Sequence, residues 1–333
     1  MSRRIIFVTG GAGFIGSNIV ARLAENPDLD LVVCDRLRQA DSGKWRNLTK
    51  HPIGDFVQPD EMWDWLEKRW REVELVVHMA AISSTTETDA DAIVRTNFGL
   101  SRDLFRWCAD HQRRLIYASS AATYGDGADG FDDVQDWQSL ARLRPLNAYG
   151  WSKALFDVFT ARQAARGYAP PQWVGLKYFN VFGPNEEHKG PMRSVAAQIW
   201  PDVAGERTVK LFRSYRPSVD HGEQRRDFIY VRDVVDVVAW LADNEAVSGL
   251  FNLGSGQARS FRELAEAVFA AAHQPPRIEY IEMPKSLRAK YQYFTHAPMQ
   301  RLHEAGYRKP FTSLESGIDD YVNSFLVQND PYR

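Results

Sequence analysis

The feature that most constrains this chain lies near its start. An apolar run, Ile5-Ile6-Phe7-Val8, leads into Thr9-Gly10-Gly11-Ala12-Gly13-Phe14-Ile15-Gly16, and an amphipathic stretch follows at 17–25. Glycines at 10, 13 and 16 permit a tight turn and bring backbone N–H groups close to an anion at a helix N-terminus. A strand that ends in such a turn and feeds a helix is half of a βαβ unit. Gly10, Gly13, Phe14, Ile15 and Gly16 are therefore candidate contacts to a dinucleotide pyrophosphate.

The alternation continues. Residues 29–34, 75–78, 115–118 and 173–178 read as short buried strands, and 92–111 reads as a helix. Continuous apolar strands between helices predict an α/β, Rossmann-type doubly wound parallel sheet covered on both faces. Beyond residue 178 the pattern changes. Loops with Pro184, Pro191, Pro201 and Pro217 dominate 182–226, and helical segments return at 231–242 and 261–272. The expected division is a dinucleotide-binding Rossmann domain of 1–177 with 225–249. A smaller, mostly helical α/β substrate domain would take 178–224 with 250–333.

The 333 residues, 44% hydrophobic and 25% charged, suffice for both cores. A net charge of −2 gives no electrostatic drive toward nucleic acid or an anionic membrane. The two cysteines, Cys34 and Cys108, fall in apolar runs, which points to buried thiols, and no Cys/His cluster has zinc spacing. The N-terminal apolar run, following Met1-Ser2-Arg3-Arg4, is too short for a signal sequence, and no stretch reaches the roughly 18 apolar residues of a membrane span. A cytoplasmic protein with no metal is the expectation.

Asp35 ends the second strand, 19 residues after Gly16, where an acid commonly binds the adenosine ribose. Arg36 is adjacent, with Arg38 and Lys44 close behind; these cations suit a 2′-phosphate and favour NADP over NAD, against the alternative of an ordinary basic loop. Asp55 and Phe56 are placed to flank the adenine. Met79, Ala80 and Ala81 end the next strand, and their small neighbours allow close approach to the cofactor. Asn97, in the following helix, serves either the cofactor or as a structural polar bridge.

Ser119-Ser120 follows the strand at 115–118, and Tyr149-Gly150-Trp151-Ser152-Lys153 comes 29 residues after Ser120. Tyr149 and Lys153 are four apart and share a helix face. A tyrosine ordinarily titrates near pH 10, too high for a base at neutral pH; a lysine cation beside it stabilises the phenolate. Ser120 can then hold a substrate oxygen. Alone the Tyr-x-x-x-Lys spacing means little; beside the glycine loop it specifies a redox centre.

These segments resemble the extended short-chain dehydrogenase/reductase superfamily, whose members modify nucleotide sugars. The resemblance runs through Lys177-Tyr178-Phe179-Asn180-Val181-Phe182-Gly183-Pro184, Arg226-Asp227-Phe228-Ile229-Tyr230-Val231 and Phe251-Asn252-Leu253-Gly254-Ser255-Gly256, spanning nearly the whole chain. A narrower resemblance is carried by Ser83-Ser84-Thr85-Thr86-Glu87, His188-Lys189-Gly190 and Lys290-Tyr291-Gln292-Tyr293-Phe294-Thr295. These segments are similar to those of the ADP-glycero-manno-heptose 6-epimerases, isomerases that supply the lipopolysaccharide inner core.

The resemblance implies transient oxidation at C6 of ADP-D-glycero-β-D-manno-heptose, with NADP retained between turnovers. It implies that Lys189 is a second acid–base group opposite Tyr149 and touches the cofactor with Val181. The alternative for Lys189 is a phosphate contact or a loop cap. Ser83, Ser120, Asn180, Gln198, Phe212, Arg213, Ser214, Tyr215, Arg226 and Tyr291 would line the sugar-nucleotide site, Arg226 through its bidentate fork. For Arg226 and Tyr291 the alternatives are an internal salt bridge and a core aromatic. The resemblance also implies a homo-oligomer, a pentamer in related enzymes. Pro191, Gln198, Pro59 and Arg36 depart from the family pattern. A nucleotide-sugar 4-epimerase, a dehydratase and a non-catalytic NADP-binding regulator are the competing readings. Ala121-Ala122 after Ser120, where a dehydratase carries an acidic pair, disfavours elimination.

Overall fold

A computed structural model describes residues 4–37, 43–84, 87–288 and 291–333. Arg38, Thr85, Thr86 and Lys290, singled out above, and Met1, Ser2 and Arg3 lie outside the described residues. Among the described residues twelve strands occur in chain order: β1 (Arg4–Thr9), β2 (Leu29–Cys34), β3 (Asp55–Val57), β4 (Val73–His78), β5 (Arg114–Ser120), β6 (Trp173–Tyr178), β7 (Asn180–Phe182), β8 (Val209–Phe212), β9 (Arg225–Tyr230), β10 (Gly249–Leu253), β11 (Ala258–Ser260) and β12 (Ile278–Ile281).

Seven of these form one sheet in the order β10-β6-β5-β4-β1-β2-β3, every pair parallel. The strands are apolar on both faces because helices cover both. Along β1, Ile5 and Phe7 enter one buried cluster while Ile6 and Val8 enter the other, as the alternation of a strand requires. The chain runs outward from β1 in both directions. The gap between β1 and β4 is therefore the switch point, and a ligand crevice opens there at the carboxyl ends of the strands.

Two smaller sheets stand apart. β7 and β11 flank β9, and β8 pairs with β12. The helix Val231–Asp243 packs against the helix Phe14–Leu23 and so belongs to the layers of the main sheet. The expected domain boundary at 249 needs correction: β10 hydrogen-bonds along β6 from Gly249 to Leu253, so the main sheet draws on residues assigned to the substrate side.

Two helical expectations also change. The segment 92–111 is not one continuous α-helix; Ala90–Ile93 and Leu100–Asp110 are joined by a wider π turn at Val94–Gly99, a local departure of the kind that re-aims side chains. The stretch 182–226 holds more than loops. Ser194 caps a helix at Val195–Ala204 by accepting a hydrogen bond from the Ala197 N–H, and Pro201 is accommodated inside it. Among the described residues no helix is long and apolar enough to cross a membrane, and no group of metal-ligating side chains gathers.

Candidate active site

A cleft of about 910 Å³ opens over the carboxyl ends of the central strands. Its floor is the glycine loop. Gly10 has φ +69°, and a Cβ there would lie 2.6 Å from the Ala80 nitrogen. A Cβ on Gly16 would lie 2.1 Å from the Gly10 carbonyl oxygen. The loop is thus folded tightly onto the end of β4, with the first turn of the Phe14–Leu23 helix lying on it. Gly13 starts that helix and no side chain caps it, leaving the helix terminus to favour an anion. A bare helix end, glycines that no larger residue can replace and a cleft of this size together fit a dinucleotide.

The loop is tied to its surroundings by two side chains. Asp35 accepts hydrogen bonds from the Ala12 N–H at 2.9 Å, the Arg36 N–H at 2.7 Å and Lys44 Nζ at 2.6 Å. Asn47, buried, donates to the Ala12 carbonyl at 2.9 Å and the Asn185 carbonyl at 3.2 Å, and meets His188 Nδ1 at 3.2 Å. Asp35, Arg36, Lys44 and His188 all line the cleft. Burial, helped by Lys44 and Lys189, pushes His188 down to about 4, so the ring is neutral at pH 7.

The reacting wall is built on the helix Ala148–Ala164, started by the Asn147 side chain, which accepts a hydrogen bond from the Gly150 N–H at 2.8 Å. Tyr149 and Lys153 both line the cleft. Lys153 is buried and donates to the Ala118 carbonyl at 2.8 Å. Burial pulls it down to about 8, against the opposing pull of Asp157. Tyr149 is raised above the ordinary tyrosine range, first by burial; a hydrogen bond with Ser120 opposes this and Asp157 adds to it. Tyr149 is therefore a weaker acid than its spacing from Lys153 alone implies. Ser120 also caps the turn Ala121–Tyr124 through Ala122 N–H at 3.1 Å.

A second ionisable group reaches the cleft from another wall. Lys189, in the turn Glu187–Met192, lies 5.1 Å from the centre of the Phe14 ring. Burial lowers it below the usual lysine range and Glu186 opposes the shift. Glu186 is itself buried; it accepts from the Ser194 N–H and hydroxyl, each at 2.5 Å, and from the Tyr321 hydroxyl at 2.9 Å. Gln198, exposed, donates to the carbonyls of Pro191 and Arg193 at 3.2 and 2.7 Å, so it braces the end of the Lys189 turn.

Gly10, Gly13, Phe14, Ile15, Gly16, Met79, Ala80, Ala81 and Ser83 line the cleft as the sequence suggested. Four expected cofactor residues do not. Asp55 sits before the end of β3, exposed, where it bonds the Trp65 indole at 2.8 Å; Phe56 is beside it, and the cleft wall at this edge comes instead from Pro59, Met62 and Trp63. Asn97 is buried and bridges: it bonds the Ile82 N–H at 2.8 Å, the Ile82 carbonyl at 2.9 Å and the Ser152 hydroxyl at 3.1 Å. Its alternative role as a polar bridge is the one its contacts fill. Val181 and the exposed Asn180 lie on β7, outside the cleft lining. Sequence reasoning missed Tyr178, Arg95 and Thr96, and it used His188 only as a marker. The one available signal was position, since Tyr178 ends β6.

The remaining candidates form a separate cluster. Arg226, buried on β9, lies over the Tyr291 ring at 5.3 Å and donates to the Gln292 and Arg225 carbonyls. Its guanidinium meets no carboxylate among the described residues, and burial pulls it down to about 10. Tyr291 packs edge-on against Tyr293 at 5.5 Å, and the Tyr293 hydroxyl accepts from the Tyr215 N–H at 2.9 Å. Arg213 reaches the Tyr280 carbonyl at 3.0 Å, and the Ser214 N–H donates to His221 Nδ1 at 3.1 Å. β8 ends at Phe212, so residues 212–215, Arg226 and Tyr291 form one chain of contacts rich in cations and aromatic faces.

The family model described as NAD dependent epimerase/dehydratase matches residues 6–254. A Nitratidesulfovibrio vulgaris (strain DP4) protein named ADP-L-glycero-D-manno-heptose-6-epimerase is 47% identical, covering 98% of this chain and 99% of that protein. One of the same name from Fusobacterium nucleatum subsp. nucleatum is 43% identical over 98% of this chain and all of its own length. The crystal structure of the Helicobacter pylori protein of that name superposes with a TM-score of 0.78 at 30% identity, covering 97% of this chain and 96% of that one.

Proposed function

This chain belongs to the NAD dependent epimerase/dehydratase family, and we propose that it inverts C6 of an ADP-activated heptose. The reaction interconverts ADP-D-glycero-β-D-manno-heptose and its L-glycero epimer with bound NADP, on the route to the lipopolysaccharide inner core. The observation that carries the reading is that the Tyr149–Lys153 pair and Lys189 reach one cleft from different walls. An epimerase needs proton transfer in two substrate poses, and a second acid–base group supplies the second.

A bound dinucleotide would supply a reversible hydride acceptor for C6, so no net redox change would result. Tyr149 removes the proton from the C6 hydroxyl, and the Ser120 hydroxyl holds the oxygen. The sugar becomes a C6 ketone. Because C6 lies outside the ring, rotation about C5–C6 would present the other ketone face for reduction. Lys189 handles the proton in that pose; its burial makes the neutral amine accessible, which suits a group that both gives and takes a proton. Arg226, Tyr291 and residues 212–215 would hold the sugar nucleotide, with the Arg226 fork on the diphosphate. Arg36 and Lys44 beside Asp35 favour NADP, since both can pair with a 2′-phosphate.

The test is to incubate purified protein, with no cofactor added, with ADP-D-glycero-β-D-manno-heptose and follow C6 by NMR. Conversion to the L-glycero epimer without accumulation of reduced cofactor is the expected result. No conversion after NADP⁺ or NAD⁺ is supplied would remove the heptose assignment.

A further inference from the structure

The helix that carries Tyr149 and Lys153 carries a third ionisable residue one turn on. Tyr149, Lys153 and Asp157 stand four apart and share a face. Asp157 is 1% exposed, and its carboxylate accepts from Lys177 Nζ at 2.6 Å, Ser119 Oγ at 2.7 Å and Tyr117 Oη at 3.2 Å. Lys177, on β6, is 0% exposed. It also donates to Thr123 Oγ1 at 2.9 Å and lies 4.8 Å from the centre of the Tyr124 ring. Neither Asp157 nor Lys177 lines the cleft.

A fully buried ion pair is a poor way to gain stability, because desolvating both charges offsets their attraction and an apolar pair of similar volume does as well. Its place in the fold suggests another use. Lys153 would stabilise the Tyr149 phenolate only while it carries a proton, yet it is buried and its ammonium donates to a neutral carbonyl. We propose that Asp157, ion-paired with Lys177 in the core, is the positioning residue that keeps Lys153 cationic beside Tyr149. This rests on the reading of Tyr149 as the base.

The electrostatics agree with the geometry. Asp157 opposes the downward effect of burial on Lys153, and it also raises Tyr149. The same carboxylate that holds the cation in place therefore makes the phenol a weaker acid. Other elements bring their own polar groups to this row. β4 contributes His78, which burial pushes down to about 3, so it is neutral. β5 contributes Tyr117 and Ser119, the turn Ala121–Tyr124 contributes Tyr124, and the turn Val94–Gly99 contributes Arg95, exposed at the cleft.

Two measurements test this on the full chain. The first needs no substrate: titrate the Lys153 amine by NMR of lysine labelled beside the amine, as the difference between each protein and its Lys153→Met counterpart. Asp157→Asn is expected to lower the Lys153 midpoint by about one pH unit. If a lone buried Lys177 prevents folding, Asp157→Asn combined with Lys177→Met removes both charges, and the Lys153 midpoint still falls because Asp157 is the charge that acts on Lys153. The second is the pH profile of kcat for the sugar nucleotide. In Asp157→Asn both limbs move toward acid while KM stays within about twofold, since Asp157 does not itself line the cleft. A Lys153 midpoint that stays where it is, or rises, in a folded Asp157→Asn or double variant would overturn the proposal. Failure of the parent protein to convert the heptose leaves the Lys153 titration intact, so the two readings fail separately.

Discussion

Substituting Gly16 with alanine is the sharpest probe of the cofactor loop. The added Cβ would sit 2.1 Å from the Gly10 carbonyl oxygen and 2.9 Å from the Gly11 Cα, all backbone. Ordinary carbon contacts lie near 3.5 Å, so the loop and the first turn of the helix must part by about 1 Å or more. A hydrogen bond between a backbone N–H and a phosphate oxygen does not survive a displacement of that size. Two such charge-assisted bonds at about 1.5–3 kcal/mol each make about 3–6 kcal/mol of lost cofactor affinity. At 1.4 kcal/mol per decade that is about 10²- to 10⁴-fold weaker binding. Overpacking would cost the fold itself about 1–3 kcal/mol, which a chain of this size survives. Calorimetric or fluorescence titration with reduced and oxidised cofactor measures the first quantity, and circular dichroism with thermal melts measures the second. A Gly16→Ala protein that is folded and binds cofactor within about threefold of the parent would refute the loop's role in holding the pyrophosphate.

Three further outcomes are expected. Tyr149→Phe should reduce turnover about 10²- to 10⁴-fold while cofactor remains bound, and Lys189→Met should impair it separately; near-parent NMR-followed turnover in both would remove these residues from the chemistry. Asn97→Ala should cost about 1–3 kcal/mol in denaturant unfolding, because it leaves the Ile82 backbone groups it bonds without that partner; an unchanged midpoint would mean the bridge is dispensable. Burial pushes His78 from 6.5 to about 3, so the unfolded chain takes up the proton first as the pH falls. Stability should be full above pH 6.5 and drain between about pH 6.5 and pH 3, by on the order of 5 kcal/mol at the limit, and His78→Gln should flatten that slope in unfolding scans.

What could be read from the chain was local. The glycine loop, the Tyr149–Lys153 spacing and the apolar strands depend on neighbours a few residues away, and the structure realises each of them. The contacts that could not be read join distant segments. Asn97 meets Ser152 across 55 residues, and Tyr215 meets Tyr293 across 78. No periodicity announces such pairs. Asp55 was misjudged because an acid after a glycine looks like a ligand contact, whereas β3 continues to Val57 and the cleft wall begins beyond it. Pro201 concealed a helix because a proline weighs heavily against helix in sequence and less once Ser194 has started one. Tyr149 is a weaker acid than its spacing from Lys153 implies because burial, invisible in the chain, outweighs the hydrogen bond with Ser120 that opposes it.

The Asn47 amide joins three segments: the Ala12 carbonyl of the glycine loop, the Asn185 carbonyl and His188. A dinucleotide held against the glycine loop and His188 would bind only where these segments are folded together, so its binding would favour the folded state. Thermodynamic linkage then makes the cofactor a structural component: at a free concentration about a hundred times its dissociation constant it adds about 2.7 kcal/mol to the folded state. Protein made where the dinucleotide is scarce would be the shorter-lived form, exposed to proteases at the edge of its own binding cleft. Cofactor supply would then govern how much enzyme persists as well as how fast each copy works.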